Sequence, residues 1–236
     1  MLKLKSKTSL FTRMMPQDCQ LCGVSTPTAI CAACVCDLPL RLVQGCECCG
    51  QVGDVQSLEG EICGDCLADP PKFDGTQSAF SYAFPLDKLM QSFKFNANLA
   101  LLDLFVDHFV GALKNNMASM PDVIIPMPLA KKRLATRGFN QAALLAREIG
   151  KRLNVKVESH GLLRVRETPP QAGLNRSARL ENMKGAFDCA QNLAGQRIAL
   201  VDDVMTTGAT MSDAARALKK QGATKIAAWA IARASR

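Results

Sequence analysis

The chain has 236 residues, 48% of them apolar and 21% charged, too long for a disulfide-stapled miniprotein and ordinary enough to fold around a conventional core. Only 5% is aromatic, with a single Trp and a single Tyr, which argues against extensive base-stacking platforms. The net charge of +8 is unevenly held: residues 1–120 carry 9 Lys and Arg against 12 Asp and Glu, residues 121–236 carry 20 against 9, so the C-terminal half is expected to meet phosphates or nucleic acid.

The opening stretch MLKLKSKTSLFTRMMPQ is basic but lacks the continuous apolar run of a secretory leader. The most apolar helical stretch, LALLDLFVDHFVGAL, contains Asp103, Asp107 and His108 and is shorter than the roughly 20 residues a membrane span needs. No membrane insertion and a reducing cytoplasm are therefore expected.

Ten of the eleven cysteines lie between Cys19 and Cys66, and eight of them form four C-x-x-C pairs. Cys19-Cys22 and Cys31-Cys34 make one set; Cys46-Cys49 and Cys63-Cys66 make the other. Each pair lets two thiolates meet one ion and a second pair completes a tetrahedron, so two closed, structural Zn2+ sites are expected rather than disulfides or a redox couple. Gly23 and Gly50 follow the second cysteine of their pairs, where a tight turn brings amides toward sulfur. Cys36 and Cys48 are spare, and either is able to replace a neighbour in a shell. The module, residues 17–68, holds too few apolar residues to fold well without metal. ADPPKFDG then reads as a linker, because Pro70 and Pro71 suit neither a helix nor a central strand. A second domain is placed at 76–236.

From Pro85 to Leu113 apolar residues recur at helical spacing with a gap at Asn96-Ala97-Asn98, implying two helices or one broken helix. Val123–Pro126 is a short buried strand, and a helix over about Asn140–Leu153 carries Ala142, Leu145, Ala146, Ile149 and Leu153 on one stripe. VKVES and LLRVR are further strand candidates, followed by a polar segment, Glu167–Gly185, without steady period. RIALVDD is the best strand in the chain, expected to end at Val201; the next helix, from near Met211, has Ala214, Ala215 and Leu218 inward and Gly222 as its stop. KIAAWAIAR closes the pattern. Alternating helices and strands apolar on both faces predict an α/β domain with a mostly parallel sheet.

That layout puts Asp202–Thr210 at the carboxyl end of the sheet, where open α/β proteins bind ligands. Gly208 permits close main-chain approach, the amides of Thr206, Thr207, Gly208, Ala209 and Thr210 can converge on an anion at a helix start, and the threonine hydroxyls add donors. Asp202 and Asp203 would repel a phosphate; they are suited to sugar hydroxyls or to Mg2+ held through water, and the ligand implied is a ribose phosphate. Plain helix capping by Asp and Thr is the competing explanation. Met127–Gly138 follows a strand as a basic turn with Lys131, Lys132, Arg133 and Arg137, suited to pyrophosphate or to a nucleic-acid backbone. Arg164, Arg166, Gln171, Arg176, Arg179 and Asn182 in and before the polar segment suit either a loop that closes over the site or a basic DNA-binding loop. Cys189 and Trp229 read as core residues, and the two histidines, His108 and His160, as surface.

The stretch IALVDDVMTTGAT resembles the phosphoribosyl pyrophosphate (PRPP) motif of type I phosphoribosyltransferases. The resemblance implies that Asp202 and Asp203 meet the ribose hydroxyls, that Thr206–Thr210 hold the 5-phosphate, and that Mg2+ accompanies PRPP. Together with the cysteine module, Lys94-Phe95, the block VIIPMPLAKKRLATRGFNQA with Arg137 and Asn140, and TPPQAGLNRSARLENMKGAF, it resembles the family of ComF competence proteins over about residues 19–233. That resemblance implies a double zinc ribbon on a type I phosphoribosyltransferase-like sheet with flanking helices. It also implies a cytoplasmic part in natural transformation or DNA utilisation, handling single-stranded DNA alongside a competence helicase and a recombination mediator. The alternative is an active phosphoribosyltransferase that transfers ribose 5-phosphate from PRPP to an unknown base or amine; no residue is named as catalytic.

Overall fold

The computed structural model describes residues 17–41, 45–52, 62–116, 120–166 and 185–235. A five-stranded parallel sheet organises the chain: β3 (Gly75–Ser81), β4 (Val123–Pro126), β5 (Lys156–Val157), β8 (Arg197–Met205) and β9 (Lys225–Arg233), in the spatial order β3-β9-β8-β4-β5. One face carries α3 (Leu86–Phe95), α4 (Leu101–Asn116) and α6 (Gln141–Leu153); the other carries α7 (Ala209–Lys220). Leu145, Ala146 and Ile149 of α6 pack with Ala199, Val201 and Trp229, while Met211, Ala214, Ala215 and Leu218 of α7 pack with Ile198, Leu200 and Ala228. The central strands are apolar on both faces because both faces are covered.

From β4 the chain passes through α6 to β5 on one side and resumes the sheet through β8 on the other. The carboxyl ends of β4 and β8 therefore flank the point where strand order reverses, and a crevice opens there. A two-stranded antiparallel ribbon, β6 (Leu163–Arg164) with β7 (Phe187–Asp188), brackets the segment expected to be polar and irregular. Residues 167–184 of that segment, including Gln171, Arg176, Arg179 and Asn182, lie outside the described residues.

Four expectations change. Gly75–Ser81, with its polar Thr, Gln and Ser, forms the parallel edge strand β3, which no hydrophobic alternation announces. The preceding stretch is tied down rather than loose: Phe73 is buried, and the Asp74 carboxylate accepts the Ile226 amide (2.7 Å) and Lys219 Nζ (2.8 Å). The basic turn after β4 is largely a short helix, α5 (Lys131–Arg137), closed by Gly138 at φ +77°. Strand β8 runs four residues beyond Val201, to Met205, and α7 begins at Ala209, two residues before Met211.

The cysteine-rich part, with β1 (Gln17–Asp18), β2 (Ser25–Thr26), α1 (Ala32–Cys36) and α2 (Gly64–Ala68), is built onto the sheet. Cys19, Ile30 and Leu38 belong to the same apolar cluster as Phe80 and Phe93. Leu40 bridges to Phe80 of β3, and Thr76 Oγ1 donates to the Cys48 carbonyl at 2.6 Å. No helix of the described residues is long and apolar enough to cross a membrane.

Candidate functional site

A cavity of about 240 Å³ opens at the switch point, lined chiefly by residues after β4, on α5 and α6, and along the end of β8. Asp202, Asp203 and Thr210 contribute to its wall together with Arg133, Arg137, Asn140 and Arg164. Side chains alternate along a regular strand, which would send two adjacent carboxylates to opposite faces. Here the alternation slips: Ile198 and Leu200 share a layer with Met205, whereas Ala199 and Val201 share theirs with Val204. The register with β9 stays constant through this stretch, and Asp202 and Asp203 both line one cavity.

Their environments differ. Asp203 is 8% exposed; its Oδ1 lies 3.0 Å from Lys94 Nζ and accepts the Val204 amide at 2.6 Å. Asp202, partly exposed, accepts the Asp203 amide at 2.9 Å. Burial and then the Asp203 charge push its carboxyl up to about 7, against the opposing pull of its amide partner, Lys94 and Arg164. One carboxylate thus has a resident cation, and the other holds a proton readily near neutrality.

Three devices place the cations. Gln141 Nε2 donates to the Lys94 carbonyl at 3.1 Å, docking the end of α3 on the start of α6. Arg137 lies over the ring of the exposed Phe95, 4.7 Å from its centroid. Arg164 stacks 5.6 Å from the centroid of Phe187 across the β6–β7 ribbon. Below that ribbon the buried Asp213 of α7 accepts the amides of Gly185 (3.1 Å) and Ala186 (2.9 Å) and pairs with Arg216 at 2.7 Å, tying the start of β7 to the helix. Asn140 caps α6 by accepting the Ala142 amide and donates to the Met127 carbonyl, both at 3.0 Å, so its side chain shapes the wall.

Several expected residues stand apart from the cavity wall. Lys131 and Lys132 are exposed on α5 and are not among the lining residues. Neither are Thr206, Thr207, Gly208 and Ala209, which form the turn beside it; Thr206 is exposed and Gly208 buried. Gly208 has φ +81°, a conformation that strains any residue with a Cβ, and a Cβ there would also press on Met205 Cε at 2.8 Å. Lys94, although noted as part of a motif, was not expected to touch the acidic pair, and nothing local in Ser92–Phe95 announces it. Cys189 and Trp229 are buried as expected, while His108 is half-buried, its ring 5.3 Å from that of Phe80.

The cysteines form two clusters, Cys19, Cys22, Cys31 and Cys34, and Cys46, Cys49, Cys63 and Cys66, with the sulfurs of each within 4.8 Å of one another. A tetrahedron with zinc–sulfur bonds of about 2.3 Å has sulfur–sulfur edges of about 3.8 Å. The Cys22–Cys31 and Cys49–Cys63 Sγ separations are both 3.7 Å. The Cys31 amide donates to Cys19 Sγ and the Cys63 amide to Cys46 Sγ, each at 3.3 Å, and Gly23 (φ +76°) and Gly50 (φ +68°) make the knuckle turns. Despite burial, backbone amides bring the Cys19 thiol down to about 6 and the Cys46 thiol to about 7. Cys34 is pushed up by its hydrogen bond with Cys22, and Cys66 by burial. Four sulfurs this close ionise together only around a cation, and the four-thiolate set fits a structural Zn2+. Cys36 and Cys48 belong to neither cluster.

The phosphoribosyl transferase domain model matches residues 134–236. Competence protein F of Haemophilus influenzae is 34% identical over 193 residues, 79% of this chain and 84% of that protein. DNA utilization protein YhgH of Salmonella typhimurium is 32% identical over 224 residues, 93% of this chain and 98% of its own length. Competence protein ComFC of Bacillus subtilis is 30% identical over 196 residues, covering 79% and 77% respectively. With a phosphoribosyltransferase-like parallel sheet, two four-cysteine clusters and relatives matched over most of their length, the chain belongs to the ComF family.

Proposed function

We propose that this protein handles single-stranded DNA in natural transformation or DNA utilisation, in the cytoplasm, with a ribose-phosphate pocket as its biochemical core. The names of its relatives, competence protein F and DNA utilization protein YhgH, support the biological half. The pocket half rests on one observation: a single cavity at the sheet's switch point gathers Asp202, Asp203 and Thr210 with Arg133, Arg137 and Arg164. A ligand with a diol at one end and phosphates at the other, such as PRPP, matches that division. Ribose hydroxyls would donate to the acidic pair, the amides of Thr206–Thr210 would take the 5-phosphate, and Arg133 and Arg137 would take pyrophosphate or a DNA phosphate. Asp202 and Asp203 have the oxygen donors that Mg2+ prefers, and the ion would offset the charge of a bound pyrophosphate. The basic segment with Arg176 and Arg179 would extend the phosphate-binding surface, and a competence helicase and a recombination mediator are the partners such a role calls for.

The decisive experiment is Asp202→Asn with Asp203→Asn, assayed in parallel for PRPP binding by calorimetry, single-stranded DNA binding by fluorescence anisotropy, and transformation or growth on DNA. PRPP binding and the cellular function should fail while DNA binding persists; unchanged PRPP binding would remove the pocket from the account. A second reading, transfer of ribose 5-phosphate to a base or amine, is favoured by the match of residues 134–236 to the phosphoribosyl transferase domain model, which encloses the acidic pair. It requires pyrophosphate release from PRPP with some acceptor, and a screen of bases and amines yielding none would count against it.

A further inference from the structure

Arg233, the last residue of β9, is among the largest fully buried side chains, with 0% exposure. A guanidinium taken out of water is costly unless its donors are matched; here Nε and Nη1 find acceptors while the buried Nη2 has none among the described residues, and the acceptors that are present tell what the side chain joins. Nε donates to the Cys49 carbonyl at 2.8 Å, inside the knuckle of the second cysteine cluster. Nη1 donates to the carbonyls of Met205 (3.1 Å) and Ala234 (2.9 Å) and to that of Thr206. One planar side chain therefore spans the cluster and the first residue of the turn that leads into α7.

Neighbouring bonds reinforce the span. Gln51 Nε2, from the same knuckle, donates to the Ala234 carbonyl at 3.0 Å, and the Ala234 amide donates to the Met205 carbonyl at 2.9 Å. Met205 in turn packs where a Cβ on Gly208 would stand. Arg41 donates to the Gly50 carbonyl, so two guanidiniums reach the carbonyls of this knuckle. Four thiolates around one Zn2+ would carry a net charge of −2, which the buried Arg233 and the partly buried Arg41 balance. The first cluster is placed differently: Cys19 and Ile30 join the core beneath α3 and α4, and Gln20 exchanges hydrogen bonds with Asn98.

We propose that Arg233 is a positioning residue through which the second cysteine cluster holds the Thr206–Thr210 turn in shape, linking metal occupancy at that cluster to anion binding at the turn. The first cluster does not share in the link. Because linkage is reciprocal, an anion on the turn tightens metal binding at the second cluster by the same factor.

The test uses the full chain. Amide hydrogen exchange is followed in the peptide spanning Thr206–Ser212, with Ile198–Leu200 of β8 as the internal reference. Cys66→Ser, which opens the second cluster, and Arg233→Met should each speed exchange in the turn by about tenfold or more while the reference stays protected. Cys22→Ser, which opens the first cluster, should leave the turn unchanged. Arg233→Lys keeps the charge but not the fork, so zinc should be retained while the turn still loosens, an outcome that loss of buried charge alone would not give. An unaltered turn in Cys66→Ser, or equal loosening in Cys22→Ser, overturns the proposal. If Arg233→Met exposes the reference strand too, the comparison of the two cysteine variants decides alone. In a second arm, inorganic phosphate should lower the share of zinc that a chromogenic chelator draws at equilibrium from the wild-type second cluster. No such shift alongside a zinc-dependent turn would overturn the anion-site reading and leave the mechanical link standing.

Discussion

The pairing of Lys94 with Asp203 gives the sharpest quantitative test of the site. The two charged atoms are 3.0 Å apart, and the side chains are 19% and 12% exposed, too buried for the pair to count as a surface salt bridge. At that separation the Coulomb attraction is about 5–6 kcal/mol for an effective dielectric near 20, and desolvation of both ions offsets much of it. Removing one partner of a fully buried pair costs about 3–5 kcal/mol. Asp203 keeps the Val204 amide, so Lys94→Met is expected to destabilise the fold by about 2–3 kcal/mol. Asp203→Asn should cost less, and the double variant should recover part of the loss, giving a coupling energy of about 1.5 kcal/mol or more. Urea unfolding at pH 8 in zinc-containing buffer, for the wild type and three variants, measures the cycle. With two carboxylates and no resident cation, Lys94→Met should also gain more stability from added Mg2+ than the wild type does. A coupling below about 0.5 kcal/mol would mean that the ion pair does not organise the acidic end of the cavity.

The Asp202 carboxyl, raised to about 7, makes a pH prediction. Between about pH 4 and pH 7 the folded chain holds a proton that the unfolded chain has released, so this residue makes stability fall as pH rises through that window and level off above it. Asp202→Asn should remove that fall, measured as the difference between melting curves from pH 5 to pH 8; an identical slope in the variant would refute the assignment. The two clusters should bind two zinc ions per chain by metal analysis, reduced to one in Cys22→Ser. A stoichiometry of two in that variant would bring Cys36 into the shell. Single-stranded DNA binding should weaken steeply between about 50 and 200 mM salt, and Arg133→Ala and Arg137→Ala should each lessen the salt slope by roughly 0.7; unchanged slopes would place the DNA elsewhere.

Local chemistry made much of the protein legible in the sequence. The four C-x-x-C pairs specify two metal sites because sulfur spacing along a tight turn is a local property. The stripe Ala142–Leu145–Ala146–Ile149 specifies a helix, and RIALV a central strand, because burial on one or both faces imposes a period. The family resemblance followed from the same short motifs. Long-range pairing was a different matter. That Asp203 meets Lys94 depends on α3 docking against α6, and that Arg233 joins Cys49 to Thr206 depends on bonds between residues 184 and 27 positions apart. The slip in alternation along β8, where Asp202 and Asp203 line one cavity, also has no local signature; it shows only in which apolar layer each neighbouring side chain joins. The sequence determines which groups are available and which segments carry them. Only tertiary packing decides which charges are buried together, because burial and distance belong to the assembled sheet and not to any one segment.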